Sequence, residues 1–208
     1  MESVASARRR KTLTSKRGLM PDEKPKCVVV TGRPGSGKTT LAKELGRRLW
    51  LPVVSRDEIK EGYVNTFGVR HDELPAETNG VASAFFFEVL RHYLQNKVSV
   101  ISESAFQHKW WVPRIDELVG LSRVCVVECV VDPQSAAERH LQRGLADPNR
   151  EFYHGDRRVA LYRETGAPPA PGAYEAPRLG VPTVAVSTED GYDPSLDVLI
   201  ERLKAWGQ

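Results

Sequence analysis

The 208-residue sequence contains no apolar run approaching the roughly 18 residues that a membrane-spanning helix needs. Its longest apolar candidates are short runs such as 27–30 and 84–87. Cysteine is also scarce, since Cys27, Cys125 and Cys129 form no CxxC pair and stand in apolar segments. These absences exclude a membrane span and a disulfide-rich secreted scaffold, and they predict one globular domain in a reducing compartment, the cytoplasm.

Strong negative charge is absent as well, and the net charge of +3 is unevenly distributed. Residues 1–26 hold eight basic and three acidic side chains, whereas the rest of the chain holds 22 basic and 24 acidic ones. The sequence therefore predicts a disordered basic N-terminal arm over 1–25 and a nearly neutral domain over 26–208. We interpret the arm as a solvated tail, with nucleic-acid contact as the alternative.

From residue 26 onward, short β-branched runs alternate with longer amphipathic stretches, a pattern typical of an α/β protein with a mainly parallel sheet. Buried strands are predicted over 26–31, 51–55, 98–102, 124–131 and 183–186. Helices are predicted over 38–49, 57–63, 76–95, 109–120, 133–143, 156–164 and 195–206. The proline-rich stretch 165–180 is interpreted as an irregular connector.

The most specific motif is GRPGSGKT, which fits GxxxxGK[ST] between a predicted strand and a predicted helix. Its glycines let backbone N–H groups surround a phosphate, and the following helix contributes the positive end of its dipole. Lys38 is expected to reach the outer phosphates, and the Thr39 hydroxyl is expected to ligate Mg²⁺. A nucleoside triphosphate with Mg²⁺ is therefore the predicted ligand, and the loop alone does not distinguish a kinase from a GTP switch or an ATP-driven machine. The predicted nucleotide-binding residues here are Gly32, Arg33, Pro34, Gly35, Ser36, Gly37, Lys38, Thr39 and Thr40.

Asp57 follows the second predicted strand, at the sheet edge where ligands lie in open α/β folds. A carboxylate there can orient an acceptor hydroxyl and take its proton during phosphoryl transfer. Asp57 can equally be the N-cap of the next helix, and the residues alone leave both interpretations open. The chain has no NKxD motif of the kind that reads guanine, and its short length favours a kinase of nucleotides or metabolites.

Five segments together resemble the small P-loop kinases, a family that includes predicted AAA-type kinases, chloramphenicol phosphotransferase, zeta toxins and the kinase half of polynucleotide kinase. The matching segments are 32–39, 55–60, 100–106, 132–143 and 186–191. The resemblance implies a three-layer P-loop NTPase sandwich whose five-stranded parallel sheet has the order 2-3-1-4-5. It also implies helices on both faces of the sheet and a helical lid.

The resemblance assigns roles to individual residues. Asp57 matches the family's acceptor-activating aspartate, so Lys38, Asp57 and Arg143 are the predicted catalytic residues. Glu103, at the end of the third predicted strand, would support Mg²⁺ together with Thr39. The alternative for Glu103 is a solvated carboxylate at a strand end.

The lid and the long helix carry the remaining candidates. Arg139 and Arg143 lie on one face of the lid helix, where Arg139 would contact the nucleotide; a merely solvated charged face is the alternative. Phe85 or Phe87 could line an apolar acceptor pocket on the helix 76–95, although core packing is the plainer interpretation. His140 is interpreted as a surface or packing residue, and no chemistry is assigned to His154 or Asp156.

The sequence thus predicts an ATP- and Mg²⁺-dependent kinase that transfers the γ-phosphoryl group to a hydroxyl of a small-molecule or nucleotide-like acceptor. One alternative is an ATP-binding regulatory or zeta-toxin-type module whose output is protein association. Another is a polynucleotide 5′-hydroxyl kinase, for which the basic arm is the supporting feature.

Overall fold

A computed structural model describes residues 23–206 of the chain. Its central sheet pairs strands in the order β2-β3-β1-β4-β5, and every ladder is parallel. The strands are β1 (Lys26–Gly32), β2 (Val53–Ser55), β3 (Val100–Ser104), β4 (Arg123–Val130) and β5 (Thr183–Ser187). This confirms the predicted strand order and the α/β sandwich.

Helices connect the strands and cover both faces of the sheet. They are α1 (Lys38–Leu49), α2 (Arg56–Phe67), α3 (Thr78–Gln95), α4 (His108–Trp111), α5 (Ile115–Leu121), α6 (Pro133–Ala146), α7 (Asn149–His154), α8 (Arg158–Thr165) and α9 (Leu196–Ala205). Each connection between successive strands is a crossover, because parallel strands all run in the same direction. The carboxyl ends of the strands, and the loops that follow them, therefore meet at one edge of the sheet.

The core consists of two apolar layers separated by the sheet. Alternate β1 residues point to opposite faces, so Val29 packs with α3 and α5 while Val28 and Val30 pack with α1 and α9. β1 is buried on both faces, which explains its unbroken run of apolar residues. The strand that leads into the glycine-rich loop is therefore packed on both of its faces.

The α3 side of the core is built around aromatic rings. Phe86, Phe87, Phe106 and Trp111 contact one another with centroid separations of 5.3–6.3 Å, mostly edge to face. Trp111 is completely buried, whereas its neighbour Trp110 is 45% exposed and stacks on Phe106. This cluster anchors α3 and the segment after β3 to the sheet.

The third strand begins two residues later than the sequence predicts. Val98 donates its N–H to the Tyr93 carbonyl and Lys97 takes a φ of 62°, so both belong to the turn that ends α3. That turn satisfies carbonyl groups at the helix C-terminus, which propensity alone does not reveal. As a consequence, Glu103 lies within β3 and not beyond it.

Other element boundaries also differ from the predicted ones. The helix predicted over 109–120 is two helices, α4 and α5, because Pro113 has no N–H to continue the ladder. The second strand is shorter than 51–55, and α2 runs four residues beyond 63. Helix α7 was not predicted, and the helix expected at 156 begins at Arg158, whose N–H donates to the Asp156 carboxylate.

The cysteines behave as the sequence predicts. All three are free and buried, and burial raises the pKa of each thiol to about 12. Within residues 23–206 no helix is long and apolar enough to cross a bilayer.

The predicted basic arm lies mostly outside the described residues. Of its last residues, Lys24 donates to the Val119 carbonyl and Pro25 accepts from the Arg123 N–H, so the described part is joined to the domain. The expectations of disorder and of nucleic-acid contact over 1–22 stay predictions.

The buried aromatic cluster yields a stability prediction. Trp111→Ala should lower the free energy of unfolding by about 3–5 kcal/mol, because it leaves a large cavity under α3. Trp110→Ala is the matched control and should cost about 1 kcal/mol, the worth of one exposed ring contact. Urea unfolding followed by circular dichroism measures both, and equal effects would contradict the assigned packing.

Candidate active site

The glycine-rich loop joins β1 to α1 at the carboxyl edge of the sheet. Gly35 and Gly37 take φ values of +87° and +76°, which side-chain-bearing residues rarely adopt. A Cβ on Gly35 would stand 2.0 Å from the Ala136 carbonyl oxygen, so the loop also lies tightly against α6. The loop is thus shaped by two constraints, its own backbone and the neighbouring helix.

The loop residues fit a bound triphosphate. Lys38 begins α1 and is only 5% exposed, and its ammonium lines a cavity in front of the loop. The buried Ser36 hydroxyl has no hydrogen-bond partner among the described residues. Thr188, which follows β5, donates its hydroxyl to the Ser36 carbonyl at 2.9 Å and fixes the loop from its outer side. Backbone N–H groups, a cation and an unsatisfied hydroxyl are the donors that phosphate oxygens need.

Glu103 connects the loop to two strands. It is 2% exposed and accepts hydrogen bonds from Thr39 Oγ1 at 3.2 Å and from Ser55 Oγ at 2.7 Å. Its Oε1 atom also lies 3.7 Å from Lys38 Nζ. The alternative of a solvated carboxylate at a strand end is therefore wrong, because Glu103 is a buried counter-charge inside β3. Thr39 and Glu103 together present hard oxygen atoms next to the loop, which suits Mg²⁺.

Asp57 is not the N-cap of its helix. The helix α2 begins at Arg56, and its cap is Ser55, whose Oγ accepts the Glu58 N–H at 3.5 Å. Asp57 therefore stands in the first turn with its side chain 49% exposed, next to the guanidinium of Arg56 at 3.4 Å. This removes the capping interpretation and leaves the carboxylate available to a ligand.

The charge state of Asp57 is set by its neighbours. Burial by itself raises the pKa of this carboxyl group, but nearby positive charges, chiefly those of Lys38 and His154, outweigh burial. The pKa of Asp57 is consequently held below its ordinary value. The group is an anion at neutral pH and can accept a hydrogen bond from a hydroxyl.

Asp57 and the loop lysine line the same cavity, which has a volume of about 320 Å³. Its lining is rich in ionisable groups: Lys38, Asp57, Lys60, His140, Arg143, Arg150, His154, Asp156 and Arg158. A larger groove of about 690 Å³ lies between α2 and α3, but it is mainly apolar and contains neither the loop nor Asp57. Of these two cavities within residues 23–206, the smaller one brings together charged groups from separate segments beside the loop, which makes it the candidate active site.

Arg143 lies on α6 and lines this cavity, where a hydrogen-bond relay through His140 to Asp156 holds its guanidinium group in place. Its guanidinium donates to His140 Nδ1 at 3.2 Å, and His140 Nε2 donates to the Asp156 carboxylate at 2.6 Å. Burial lowers the pKa of His140 despite the Asp156 hydrogen bond, which keeps the ring neutral and able to accept from Arg143. The sequence missed this relay, since His140 was interpreted as packing and Asp156 received no chemistry.

The other predicted arginine has a different environment. Arg139 donates from its two terminal nitrogens to the carbonyl oxygens of Thr188 and Glu189, at 2.9 and 2.7 Å. It therefore braces the segment after β5 against α6, one turn away from Arg143. A nucleotide contact for Arg139 stays a prediction, and the cavity lining does not include it.

The aromatic candidates lie apart from the charged cavity. Phe87 is 5% exposed and belongs to the aromatic core, whereas Phe85 is 52% exposed and lines the apolar groove between α2 and α3. Core packing, the plainer interpretation, is therefore right for Phe87. Neither ring lines the cavity that holds Asp57.

Comparison with known proteins identifies the family of this chain. A protein-family model described as an AAA domain matches residues 27–169. The chain belongs to this AAA domain family. The matched range includes the glycine-rich loop, Asp57, Glu103 and every residue that lines the candidate cavity. A search of the curated proteins finds no match.

Solved structures share the fold of this AAA domain protein. A candidate kinase from Chloroflexus aurantiacus J-10-fl is 24% identical, with a TM-score of 0.73 over 89% of this chain and 100% of the other. A sugar kinase from Janibacter sp. HTCC2649 is 18% identical, with a TM-score of 0.53 over 88% and 94% of the two chains. A gluconokinase from Sinorhizobium meliloti 1021 is 18% identical, with a TM-score of 0.51 over 89% and 99%. The fold is that of the small P-loop kinases.

The connector 165–180 also contributes to the site of the AAA domain protein, which the sequence did not predict. The Tyr174 ring lies under the Arg33 guanidinium at 5.7 Å, and its hydroxyl is 3.2 Å from Thr31 Oγ1. Burial raises the pKa of Tyr174 to about 12, so this phenol stays neutral. An aromatic residue within a proline-rich stretch was the available signal for such a contact.

The close approach at Gly35 yields a second prediction. Gly35→Ala should weaken binding of the non-hydrolysable ATP analogue AMPPNP at least tenfold, because the loop or α6 must move to admit the methyl group. Gly62→Ala is the matched control, since its Cβ would meet open space, and it should bind AMPPNP normally. Isothermal titration measures the affinity, and unchanged binding by Gly35→Ala would contradict the cradle geometry.

Proposed function

We propose that the protein is an ATP- and Mg²⁺-dependent phosphotransferase that moves the γ-phosphoryl group of ATP to a hydroxyl of a small-molecule acceptor. The observation that carries the proposal is the placement of the Asp57 carboxylate and the Lys38 ammonium in one cavity beside the glycine-rich loop. An anion that orients a hydroxyl and a cation that faces phosphate are the two groups that phosphoryl transfer requires.

ATP complexed with Mg²⁺ would supply the phosphoryl group and a cation that neutralises phosphate charge. The loop from Gly32 to Gly37 would hold the phosphate chain, and Lys38 would neutralise charge on the outer oxygens. Thr39 would hold the cation directly, with Glu103 supporting it. Among residues 23–206 no group of three His, Cys, Asp or Glu is arranged to hold a metal ion, which fits a cation that arrives with its nucleotide.

Asp57 would orient the acceptor hydroxyl for in-line attack. Because its pKa lies below the ordinary value, this carboxylate is a good hydrogen-bond acceptor but a weak base. In a loose transition state the hydroxyl proton leaves late, when the attacking oxygen has become acidic, so a weak base suffices. Asp57 thus acts first by positioning and only then by receiving the proton.

Arg143 would stabilise the charge on the transferring group. The relay through His140 to Asp156 holds its guanidinium over the cavity before any ligand arrives, which removes a reorganisation cost from the transfer step. His140 and Asp156 are therefore positioning residues.

The cytoplasm is the compartment that we propose, because three buried free thiols suit a reducing environment. The regulatory or zeta-toxin-type module and the polynucleotide 5′-hydroxyl kinase become outcomes of an acceptor screen. That screen measures ³²P transfer from [γ-³²P]ATP to antibiotics, sugar nucleotides, nucleosides and polynucleotide 5′ ends, with Lys38→Ala as the blank. ATP turnover with transfer to none of these, together with tight binding of a protein partner, would favour the regulatory module.

The role of Asp57 yields a third prediction. Asp57→Asn should lower the rate of phosphoryl transfer by about 10²–10⁴-fold, since the amide cannot accept the hydroxyl proton. AMPPNP binding should stay unchanged, because Asp57 is not part of the loop. Asp116→Asn, on the exposed surface of α5, is the control and should keep full activity. Full transfer by Asp57→Asn would refute the assigned role.

The buried Glu103 yields a fourth prediction. Glu103→Gln should raise the Mg²⁺ concentration for half-maximal transfer by about 10–100-fold, because the group that orients Thr39 loses its charge. Glu44→Gln, at a partly exposed residue of α1 that pairs with Arg47, should leave the Mg²⁺ dependence as it is. The measurement is transfer rate against Mg²⁺ at saturating ATP. If both variants reach half-maximal transfer at the same Mg²⁺ concentration, Glu103 does not support the cation and acts only as the counter-charge of Lys38.

A further inference from the structure

Lys60 is a buried lysine without an ion-pair partner. It lies on α2 three residues after Asp57, is 6% exposed, and lines the candidate active site. Among residues 23–206 no carboxylate oxygen stands within 4.0 Å of its ammonium group. Burial lowers the pKa of Lys60 to about 8, and the charge of Asp57 only partly offsets this effect. Such a group is costly to bury unless an anion binds it.

Arg150 brings a second unpartnered group to the same cavity from a different helix. It lies on α7, and its buried Nε has no hydrogen-bond partner within the described part of the chain. The helix is held in place by a 2.8 Å contact between His154 Nε2 and Glu61 Oε1 of α2. Lys60 and Arg150 thus line one cavity from two different helices, and the positive charge of Arg150 adds to the lowering of the Lys60 pKa.

Lys60 lies about one helical turn beyond Asp57 on α2, the helix that begins at the carboxyl end of β2. Three residues of helix carry Lys60 about 4.5 Å along the α2 axis, away from the sheet edge. Lys60 and Arg150 line the same cavity as Lys38 and Asp57, but neither belongs to the glycine-rich loop or to the helix that follows it. The loop and Lys38 are the groups assigned to the phosphates of the nucleotide, and Lys60 and Arg150 have no assigned partner.

We propose that Lys60 and Arg150 form an anion-binding subsite for the phosphoryl acceptor, so that the acceptor is a hydroxyl compound carrying a carboxylate or a phosphate. The assignment rests on the proposed function, because it takes Asp57 as the group that orients the hydroxyl. These two cations, in the same cavity as Asp57, would bind the anionic group and direct the hydroxyl toward the loop. Charge-assisted hydrogen bonds to both cations would supply most of the orientation.

The first test uses sulfate as a probe for the subsite. The full chain is saturated with Mg²⁺ and AMPPNP to fill the glycine-rich loop, and sulfate is then titrated at constant ionic strength. Wild type should bind one sulfate, and Lys60→Met should weaken that binding by about 10–100-fold. Lys60→Arg should retain most of it, and Arg150→Gln should lose an intermediate amount. Lys204→Met, at an exposed site on α9, is the matched control.

The melting temperature shows whether the Lys60→Met variant is folded. Lys60→Met removes an unpaired buried cation, so in sulfate-free buffer it should melt no lower than wild type. Sulfate should raise the melting temperature of wild type and leave that of Lys60→Met unchanged. Absence of sulfate binding to wild type, or equal affinity in wild type and Lys60→Met, would overturn the subsite.

The second test separates the subsite from the proposed function and distinguishes the two anions. Glycerol, glycerate and glycerol 3-phosphate form one matched series, and glucose, gluconate and glucose 6-phosphate form another. Binding to the AMPPNP-loaded protein should be at least tenfold tighter for a carboxylate or phosphate member than for the neutral one, and Lys60→Met should abolish that preference. Equal binding of neutral and anionic members by wild type would overturn the subsite.

Transfer to these compounds tests the proposed function separately. If anionic members bind through Lys60 but no hydroxyl compound accepts phosphate, the subsite stands and the phosphotransferase assignment fails. If neutral compounds are phosphorylated as efficiently as anionic ones, the phosphotransferase assignment stands and the subsite fails. For an accepted compound, Lys60→Met should raise KM with little change in kcat, whereas Asp57→Asn should lower kcat.

Discussion

The site depends on one buried carboxylate, that of Glu103. Placed inside β3, it accepts hydrogen bonds from Thr39 and Ser55 and provides the counter-charge for Lys38. Lys38 and Thr39 belong to α1, which follows the glycine-rich loop, and Ser55 ends β2. The Glu103 side chain therefore joins α1 to the strand that leads to Asp57. A buried charge is tolerated only when it is paired and hydrogen-bonded, and here the pairing defines the geometry of the site.

Around this centre the molecule holds its positive charges in two ways. Arg143 is held by protein partners, through His140 and Asp156, and is therefore preorganised for a group that carries charge only briefly. Lys60 and Arg150 lack such partners, which is the arrangement expected when a ligand completes the pairing. The unpaired cations lower the stability of the folded protein at the place where a ligand binds. The aromatic cluster beneath α3 and the strand β1, which is buried on both faces, stabilise the rest of the domain.

Local features of the site were predictable, because local chemistry determines them. The loop requires glycine at positive φ and a lysine at the start of its helix, and a short stretch of sequence displays both. Asp57 was identified, but whether it capped α2 depended on which residue the helix begins with, a boundary that propensity does not define. Glu103 was identified too, yet its burial was missed because the turn around Val98 shifts the strand by two residues.

The sequence by itself determined the alternation of strands and helices, the phosphate-binding loop and the chemical types of its ligands, since these follow from hydrophobic periodicity and from backbone geometry within a few residues. Only the tertiary structure decided which distant side chains meet. Lys60 on α2 and Arg150 on α7 are far apart in the chain, and their convergence depends on how α7 packs against α2 through His154 and Glu61. Packing of this kind is a sum of many weak contacts between separate elements, and no local pattern encodes it.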